Sequence, residues 1–274
     1  MTRLFSVAAL LAATAGFAED AGAPAAAPVP AAAAPSAEAK PAPAPAPAGA
    51  KLSPQEILAK MDAATNGFAD QTMEIRLTVV DVDQSKKSYD MTVFQKGEKR
   101  MIQFTSGEMK GMSTLVEDRN SVHVYLPGFK KVRRVAAHNM NQSMAGSDLT
   151  SEDMAQVGWS GDWTPTLEKE DETSWWLALT PKATTATENS KVVHRIEKKG
   201  FGQQESHYFN KAGEEVKRFI NSNPSDFHGA TRYRLITVSD PRTGHRTEME
   251  LREFKVNQGL KDDLFTVRQL QWGK

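Results

Sequence analysis

The chain has 274 residues, of which 39% are hydrophobic and 25% charged, and its 34 Lys and Arg balance 34 Asp and Glu. A neutral chain argues against a general nucleic-acid-binding protein, because such a protein needs excess positive charge to displace counterions from phosphates. The absence of cysteine excludes disulfide bonds, thiolate metal sites, a cysteine nucleophile and the acylated cysteine of a bacterial lipoprotein. We therefore expect no lipid anchor on this chain.

Residues 1–18 are predicted to be a cleaved secretory signal peptide. Arg3 precedes an apolar run over residues 4–15, and small residues stand before a cleavage site after Ala18. The run of about 12 residues is shorter than the roughly 20 that a membrane-spanning helix needs. A permanent membrane anchor is the alternative. The signal predicts export to the periplasm.

Residues 19–50 are dominated by Ala and Pro and are predicted to be a spacer. Proline fixes φ and lacks an N–H donor, so the segment favours an extended polyproline II rod that reaches roughly 100 Å at about 3.1 Å per residue. An inert tail is the alternative. Residues 51–274 remain as one domain, and a chain of this size can bury a full core.

A helix of about three turns is predicted to begin at Ser53. Ser53 and Glu56 have the spacing of a capping box, and Ile57, Leu58 and Met61 lie on one helical face. The helix is therefore expected to pack its apolar face against the rest of the domain.

From Thr72 onward the hydrophobic period changes to two, as in a half-buried strand, because Ile75 and Leu77 alternate with polar residues. The same pattern predicts twelve further strands, at residues 89–94, 100–104, 113–117, 121–126, 131–135, 164–168, 174–179, 192–197, 205–209, 215–220, 232–238 and 246–254. Short Gly-containing connections between them are typical of antiparallel hairpins. The domain is thus predicted to be mainly β with few helices.

The β pattern is interrupted over residues 138–162. Ser151, Glu152 and Asp153 can cap a short helix within this stretch. Long excursions from a compact sheet are often functional, so we interpret this one as a lid, with a disordered loop as the alternative.

No catalytic, metal or cofactor motif is found. Gly158-Trp159-Ser160-Gly161 lacks the spacing of a nucleophile elbow, and the six histidines have no metal-ligand spacing. Neither a dinucleotide-binding fingerprint nor a P-loop occurs. Paired carboxylates of a glycan- or lipid-processing enzyme cannot be recognised from spacing alone. We predict a binding or carrier protein without a cofactor or metal, not an enzyme.

Methionine and basic residues each form one cluster. Seven of the 11 Met lie between residues 91 and 154, among them Met101, Met112 and Met144. Because Met adapts to irregular apolar partners, this cluster indicates a pliable apolar mouth, with a gap-filled core as the alternative. Arg133 and Arg134 end the densest basic run, which either protects a strand edge or attracts anionic headgroups or an acidic partner.

Three segments together resemble one known family. Tyr125-Leu126-Pro127 ends a strand, a basic-hydrophobic strand with Arg133 and Arg134 follows, and the next segment continues into a short helix. That last segment carries the residues Gly146, Ser147, Asp148 and Asp153. The chain is similar in these respects to the LolA-like outer-membrane lipoprotein-sorting proteins.

The resemblance implies a half-open antiparallel β-barrel wrapped over short helices, with an apolar cavity that shields acyl chains. It implies a monomeric carrier of lipoprotein acyl chains, or of phospholipid or glycolipid, supplied by an inner-membrane transporter. An envelope-stress sensor that binds a protein partner on the same fold is the alternative.

The opening of the cavity is expected beside residues 139–163. The candidate lining residues are apolar strand residues, although alternation alone does not say which strand face points inward. They are Ile75, Leu77, Val93, Ile102, Phe104, Leu115 and Val124, with Met101, Met112 and Met144.

Overall fold

A computed structural model describes residues 51–144 and 146–271. The predicted signal peptide and Ala/Pro spacer lie outside the described residues. Thirteen strands and three α-helices account for most of the described chain, which confirms the prediction of a mainly β protein with few helices. None of the helices in residues 51–144 and 146–271 is long and apolar enough to cross a bilayer.

All thirteen strands belong to one antiparallel sheet. Their bounds are β1 Gln71–Val80, β2 Lys86–Lys96, β3 Lys99–Phe104, β4 Ser113–Asp118, β5 Ser121–Leu126, β6 Lys131–Arg134, β7 Trp163–Glu170, β8 Ser174–Pro181, β9 Lys191–Glu197, β10 Gln203–Phe209, β11 Glu215–Phe227, β12 Ala230–Ser239 and β13 Arg246–Val256. The helices are α1 Pro54–Asn66, α2 Ser151–Ala155 and α3 Val267–Gln271. Single 3-10 turns occur at Pro127–Phe129, Ala137–Asn139 and Asp262–Phe265.

The order of strands across the sheet is β6-β5-β4-β3-β2-β1-β13-β12-β11-β10-β9-β8-β7. Strands β6 and β7 are consecutive in the chain but form opposite edges of this sheet. The 28 residues between them, 135–162, must therefore pass from one edge to the other. We call this segment the crossover. Because the edge strands are not paired with each other in the described chain, the sheet is open.

The strand register defines two faces of the sheet. Leu77 pairs with Tyr89 on one side and with Met249 on the other, so these three side chains share a face. We call this the inner face, because α1 and the crossover pack on it. Residues of β7 to β10, such as Leu179 and Tyr208, continue the same face by register.

Helix α1 fills the inner face at the β7 end of the sheet. Its capping box is present as predicted, since the Ser53 side chain accepts from the Glu56 N–H while the Glu56 carboxylate accepts from the Ser53 N–H. The helix buries Ile57, Leu58 and Met61. They join a cluster that contains Trp159, Trp163, Leu177, Leu179, Val192, Ile196 and Tyr208.

The crossover covers the inner face over strands β1 to β5. Its Leu149 and Met154 are buried against Leu77, Val93 and Ile102. Its far end is attached to α1, because the Asp62 carboxylate accepts hydrogen bonds from the backbone N–H groups of residues 159 and 160. The prediction of a long excursion containing a short helix is thus confirmed, and the segment has ordered packing.

Helix α3 covers the opposite, outer face. Leu270 of α3 and the neighbouring Phe265 pack with Met101 and Leu115. This helix was not expected from the sequence, because its five residues are too few to show a helical period.

Candidate functional site

A cavity of about 570 Å³ opens on the inner face between the part filled by α1 and the part covered by the crossover. Its floor is apolar and comes from β1, β12 and β13, through Met73, Ile75, Ile236, Met249 and Leu251. The register makes these residues cross-strand neighbours, because Ile75 pairs with Leu251 and Ile236 pairs with Met249. The alternation of apolar and polar side chains along three adjacent strands therefore forms one continuous apolar surface.

The end of α1 and the β9–β10 hairpin form the walls of the cavity. Ala64, Thr65 and Asn66 line it from the helix, and Gly200 and Gln203 line it from the hairpin. The floor remains uncovered here because α1 ends at residue 66 and the crossover lies over the neighbouring strands. The cavity is thus the part of the inner face that no segment of the described chain fills.

Polar side chains surround the apolar floor. Gln95 is buried, donates to the Asn66 side-chain oxygen at 2.9 Å and accepts from Arg100 Nε at 2.8 Å. Gln71 and Asn221 also line the cavity, and the side-chain oxygen of each is buried without a hydrogen-bond partner in the described chain. The cavity therefore combines an apolar floor with a polar rim.

Two arginines of the rim are held by helix ends. Arg100 donates from Nη1 to the carbonyl oxygens of Met154 at 2.9 Å and Gln156 at 3.2 Å, at the end of α2. Arg232 donates to the carbonyl oxygens of Ala64 at 3.1 Å and Thr65 at 2.7 Å, at the end of α1. Carbonyl groups at a helix C-terminus carry partial negative charge and favour a cation. Burial lowers the pKa of each arginine to about 10.

Glu197 is the one carboxylate among the residues that line the cavity. Burial, followed by the nearby Glu197, raises the pKa of the Tyr233 hydroxyl to about 12. Glycoside hydrolysis requires two carboxylates flanking the scissile bond, and this cavity does not bring such a pair together. Across residues 51–144 and 146–271, no three His, Cys, Asp or Glu side chains converge as metal ligands would.

Of the ten predicted lining residues, Ile75 lines this cavity. The largest group of the others lies on the same face but under the crossover, where the protein's own side chains fill the space. This group comprises Leu77, Val93, Ile102 and Phe104. Met112, next to the start of β4, and Met144, in the crossover itself, pack against them. Val124 pairs with Thr114 on the inner face and is half-buried, away from the cavity floor.

Met101 and Leu115 lie on the outer face, although the sequence analysis named both as candidate lining residues of the cavity. Met101 alternates with the inner residue Ile102 along β3 and pairs with Leu115 of β4. Both side chains are fully buried beneath α3. Because α3 covers the outer face of these strands, that face carries apolar residues just as the inner face does. The sequence did not indicate this helix. That is why alternation could not distinguish the two faces.

The segment that carries Gly146, Ser147, Asp148 and Asp153 attaches the crossover to the sheet. The Asp148 carboxylate accepts from His245 Nδ1 at 2.9 Å and from the Thr247 hydroxyl at 2.7 Å, both on the β13 side. Asp153 accepts from the Lys217 ammonium on β11 at 2.5 Å. These contacts attach the crossover to the start of β13 and to β11.

The remaining motif residues are local to the crossover or exposed. Gly146 has a φ of 73°, which a glycine adopts without strain, and the Ser147 hydroxyl donates to the Met144 carbonyl oxygen at 2.6 Å. Arg133 and Arg134 are exposed on edge strand β6. None of the described residues of 139–163 is among the lining residues of the cavity, but the end of α2 borders it through Arg100.

Several lining residues were missed by the sequence reasoning. Met73 alternates with Ile75 in the same strand, so the period-two pattern could have included it. Met249 and Leu251 belong to the last strand, and only the pairing of β13 with β1 brings them to the same floor. No sequence signal indicates that Arg100 and Arg232, 132 positions apart, border one cavity.

Three solved structures share this architecture. A DUF1329 family protein from Desulfovibrio piger superimposes with a TM-score of 0.73 at 21% identity, over 80% of this chain and 100% of its own. A protein domain from Vibrio parahaemolyticus, named for outer-membrane lipoprotein sorting, superimposes with a TM-score of 0.71 at 17% identity, over 79% of this chain and 97% of its own. A LolA superfamily protein from Nitrosomonas europaea superimposes with a TM-score of 0.68 at 19% identity, over 80% of this chain and 100% of its own.

At these identities the likeness establishes a shared LolA-like fold. In sequence, a family model that describes uncharacterized proteins matches residues 96–272. No curated protein matches the chain.

Proposed function

The chain belongs to the family of uncharacterized proteins whose model matches residues 96–272, and because it also has the LolA-like fold we propose that it is a periplasmic carrier of acyl chains. It shields the acyl chains of lipoproteins, or of a phospholipid or glycolipid, while they pass from the inner to the outer membrane. In this proposal it acts as a monomer, receives its cargo from an inner-membrane transporter, and performs no reaction and needs no cofactor.

The observation that carries this proposal is the apolar cavity on the inner face. Its volume of about 570 Å³ falls within the range of roughly 300–1,000 Å³ that is usual for small-molecule sites. Two of the five apolar floor residues, Met73 and Met249, are methionines. Methionine adapts its shape to different apolar partners, which suits a site that accepts flexible hydrocarbon and later releases it.

The energetics of lipid transfer require such a shield. Each buried CH₂ contributes about 0.8 kcal/mol, so a 16-carbon chain faces a cost on the order of 12 kcal/mol when it leaves a membrane for water. An apolar floor lowers that cost. Because the cargo must also be released, we expect this half-open site to bind far less tightly than the strongest known complexes, whose free energies of binding reach about −18 to −21 kcal/mol.

Native mass spectrometry of the secreted protein, purified without detergent, tests the proposal. We expect co-purifying lipid or acylated peptide on the wild-type protein. Ile75→Trp fills the floor of the cavity, and this variant should retain less than about a tenth of the lipid, because the indole occupies the space of the ligand.

Thr78→Trp is the matched control for this experiment. Thr78 lies on the same strand, but its hydroxyl contacts the Ser88 hydroxyl at 3.0 Å on the outer face. This variant should retain wild-type amounts of lipid. A wild-type protein that is consistently empty, or equal lipid loss in both variants, would contradict a carrier that uses this cavity.

A second candidate function is a sensor of envelope stress that binds an acidic protein partner. The observation that favours it is the basic edge, which we define as Lys130, Lys131, Arg133 and Arg134. These four cations form no ion pair within the described chain, and β6 is an edge strand with one side unpaired. The neighbouring Phe129 is 68% exposed.

The double variant Arg133→Glu with Arg134→Glu separates the two functions. If the protein is a sensor, this variant loses capture of its periplasmic protein partner while the lipid detected by native mass spectrometry is unchanged. If the protein is a carrier that does not use this edge, both the lipid content and the transfer of lipid between vesicles stay at the wild-type level.

A further inference from the structure

We propose that the cavity selects acyl lipids that carry a negatively charged headgroup, with the chain on the apolar floor and the head at Arg100 and Arg232. This inference rests on the proposed carrier function and names the class of its cargo. The shared chemistry is one hydrocarbon chain joined to a carboxylate or a phosphate.

The charge balance of the cavity is the first observation. Three cationic side chains line it, those of Arg100, Lys199 and Arg232, against the single carboxylate of Glu197. None of the three cations forms an ion pair with a carboxylate of the described chain. Two other arginines of the sheet are paired, since Arg76 pairs with Asp90 at 2.9 Å and Arg195 pairs with Glu205 at 2.9 Å. The chain as a whole is neutral, so the cationic excess at this cavity is local.

The position of the two guanidinium groups is the second observation. Arg232 lies over the rings of Phe254 at 4.4 Å and Phe68 at 5.2 Å, and the carbonyl oxygens at the end of α1 hold its two Nη atoms. Arg100 is held by Gln95 and by the end of α2. Both groups are therefore fixed before a ligand arrives, which reduces the entropy lost on binding.

Each arginine also has a nitrogen without a hydrogen-bond acceptor in the part of the chain that the structure describes. These nitrogens are Nη2 of Arg100 and Nε of Arg232, since the bonds of Arg100 leave from Nε and Nη1 and those of Arg232 from Nη1 and Nη2. Guanidinium N–H groups form their strongest hydrogen bonds with carboxylate and phosphate oxygens. The free donors thus match an anionic head.

Burial makes an anion more favourable here than on the surface. Burial lowers the pKa of both arginines to about 10, so both remain protonated at neutral pH. A charged group that has lost part of its hydration shell interacts more strongly with an opposite charge, because the effective dielectric constant around it is lower. A neutral head would leave both arginines with carbonyl dipoles as partners and without a counter-ion.

Two amide side chains with buried oxygen atoms, Gln71 and Asn221, extend the polar part of the cavity. Gln71 is 4% exposed, and its Oε1 atom has no partner in the described chain. The Asn221 amide donates to the Gln203 carbonyl oxygen at 2.7 Å, while its own oxygen is unpartnered. Both oxygen atoms are closed to solvent, so they add polarity to the cavity wall and give no preference between a carboxylate and a phosphoglycerol head.

Equilibrium binding to the delipidated full protein tests the inference. The probes share a 16-carbon chain and differ in the head: monopalmitoylglycerol is neutral, palmitate carries a carboxylate, and palmitoyl lysophosphatidylglycerol carries a phosphate. We expect both anionic probes to bind at least about tenfold more tightly than the neutral probe, because hydrogen bonds to charged groups are the stronger ones. The order of the two anionic probes identifies the source of the charge.

Arg100→Met and Arg232→Met should each reduce the preference for anionic probes to about threefold or less, while binding of monopalmitoylglycerol persists. That persistence reports an intact cavity. Arg100→Lys and Arg232→Lys keep a charge and should restore part of the preference. Arg242→Met is the control, because Arg242 lies in the turn between β12 and β13 and pairs with Asp240 at 2.7 Å.

Equal affinities of the wild-type protein for neutral and anionic probes would overturn the inference and leave the carrier function intact. A preference that survives Arg100→Met and Arg232→Met together would also overturn it. Failure of all three probes to bind would instead contradict the proposed function, and the inference would fall with it.

Discussion

Ile75 and Leu77 are two residues apart on the same strand and the same face, and Ile75 packs against the cluster that contains Leu77, yet the two side chains are covered to different degrees. Leu77 is 1% exposed and packs under the crossover with Val93 and Ile102. Ile75 is half-buried and forms part of the cavity floor. We call these two parts of the inner face the covered region and the open region. What separates them is coverage by another segment of chain.

The comparison shows that the crossover decides where a ligand can bind. In the covered region, Leu149 and Met154 occupy the apolar space that the strands create. In the open region, no described segment occupies it, and the boundary is formed by the ends of α1 and α2. The two regions also differ in electrostatics, because an ion pair joins the crossover to the sheet whereas the arginines of the open region have no carboxylate partner.

The largest difference in the free energy of unfolding should come from shortening one β1 side chain in each region to alanine. Leu77→Ala leaves a void in a filled core and should lower the free energy of unfolding by about 3 kcal/mol. Ile75→Ala removes a side chain that already faces a cavity, and its cost should stay near 1 kcal/mol. Urea denaturation of both variants measures the difference. Equal costs would mean that the open region is as tightly packed as the covered one.

The next effect concerns the ion pair that holds the crossover. Arg119, in the β4–β5 turn, donates to Glu152 of α2 at 3.3 Å, and their side chains are 15% and 11% exposed. Arg119→Met leaves Glu152 buried with less compensation and should cost about 2–3 kcal/mol at pH 7. Glu152→Gln removes the charge, keeps an acceptor for Arg119 and should cost less than about 1 kcal/mol.

The pH dependence of Arg119→Met provides an independent check of this pair. Burial raises the pKa of Glu152 above its ordinary value of 4.5, so the folded state binds that proton more tightly than the unfolded state does. The part of the lost stability that comes from the Glu152 charge should therefore return as the pH falls through the raised pKa, whereas the bonds of Arg119 to Gln156 and Asp162 stay lost. Glu152→Gln has no such proton to bind. Parallel pH profiles for the two variants would argue against a buried charge as the cause.

The smallest effect should come from loosening the crossover at its contact with β13. Asp148→Asn weakens the charge-assisted hydrogen bonds from His245 and Thr247 and should cost about 1 kcal/mol. Amide hydrogen exchange should accelerate in residues 149–155 and stay unchanged in α1, because the variant weakens the attachment of the crossover only at its contact with β13. Unchanged exchange in 149–155 would show that apolar packing alone holds the crossover.

Much of the secondary structure was predictable from local patterns. All thirteen strands appear where the period of two predicted them, and α1 begins at its capping box. The clearest difference is β11, which runs to Phe227 instead of ending at residue 220. Pro224 lies in this extension, and a proline is tolerated there because this part of β11 has lost its β10 neighbour and pairs only with β12.

The place of the candidate site could not be predicted from the sequence. Ile75 is the one predicted lining residue in the floor, and the two methionines there, Met73 and Met249, lie outside the methionine cluster of residues 91–154. Met112 and Met144, which we expected at the mouth, instead pack against the covered region. The period-two pattern of a strand indicates which residues share a face, and it contains no information about which segment covers that face.

The sequence by itself determined the strands, the first helix, the position of the long excursion and the resemblance to LolA-like proteins. These features depend on spacing within a few residues, where side-chain direction follows directly from backbone period. Only the tertiary structure decided which face is inner, that α3 buries Met101 and Leu115 on the other side, and that Arg100 and Arg232 border one cavity. Those outcomes depend on β13 pairing with β1 and on the path of the crossover between the two edges of the sheet. Contacts between residues so far apart in the chain leave no periodic trace in the sequence.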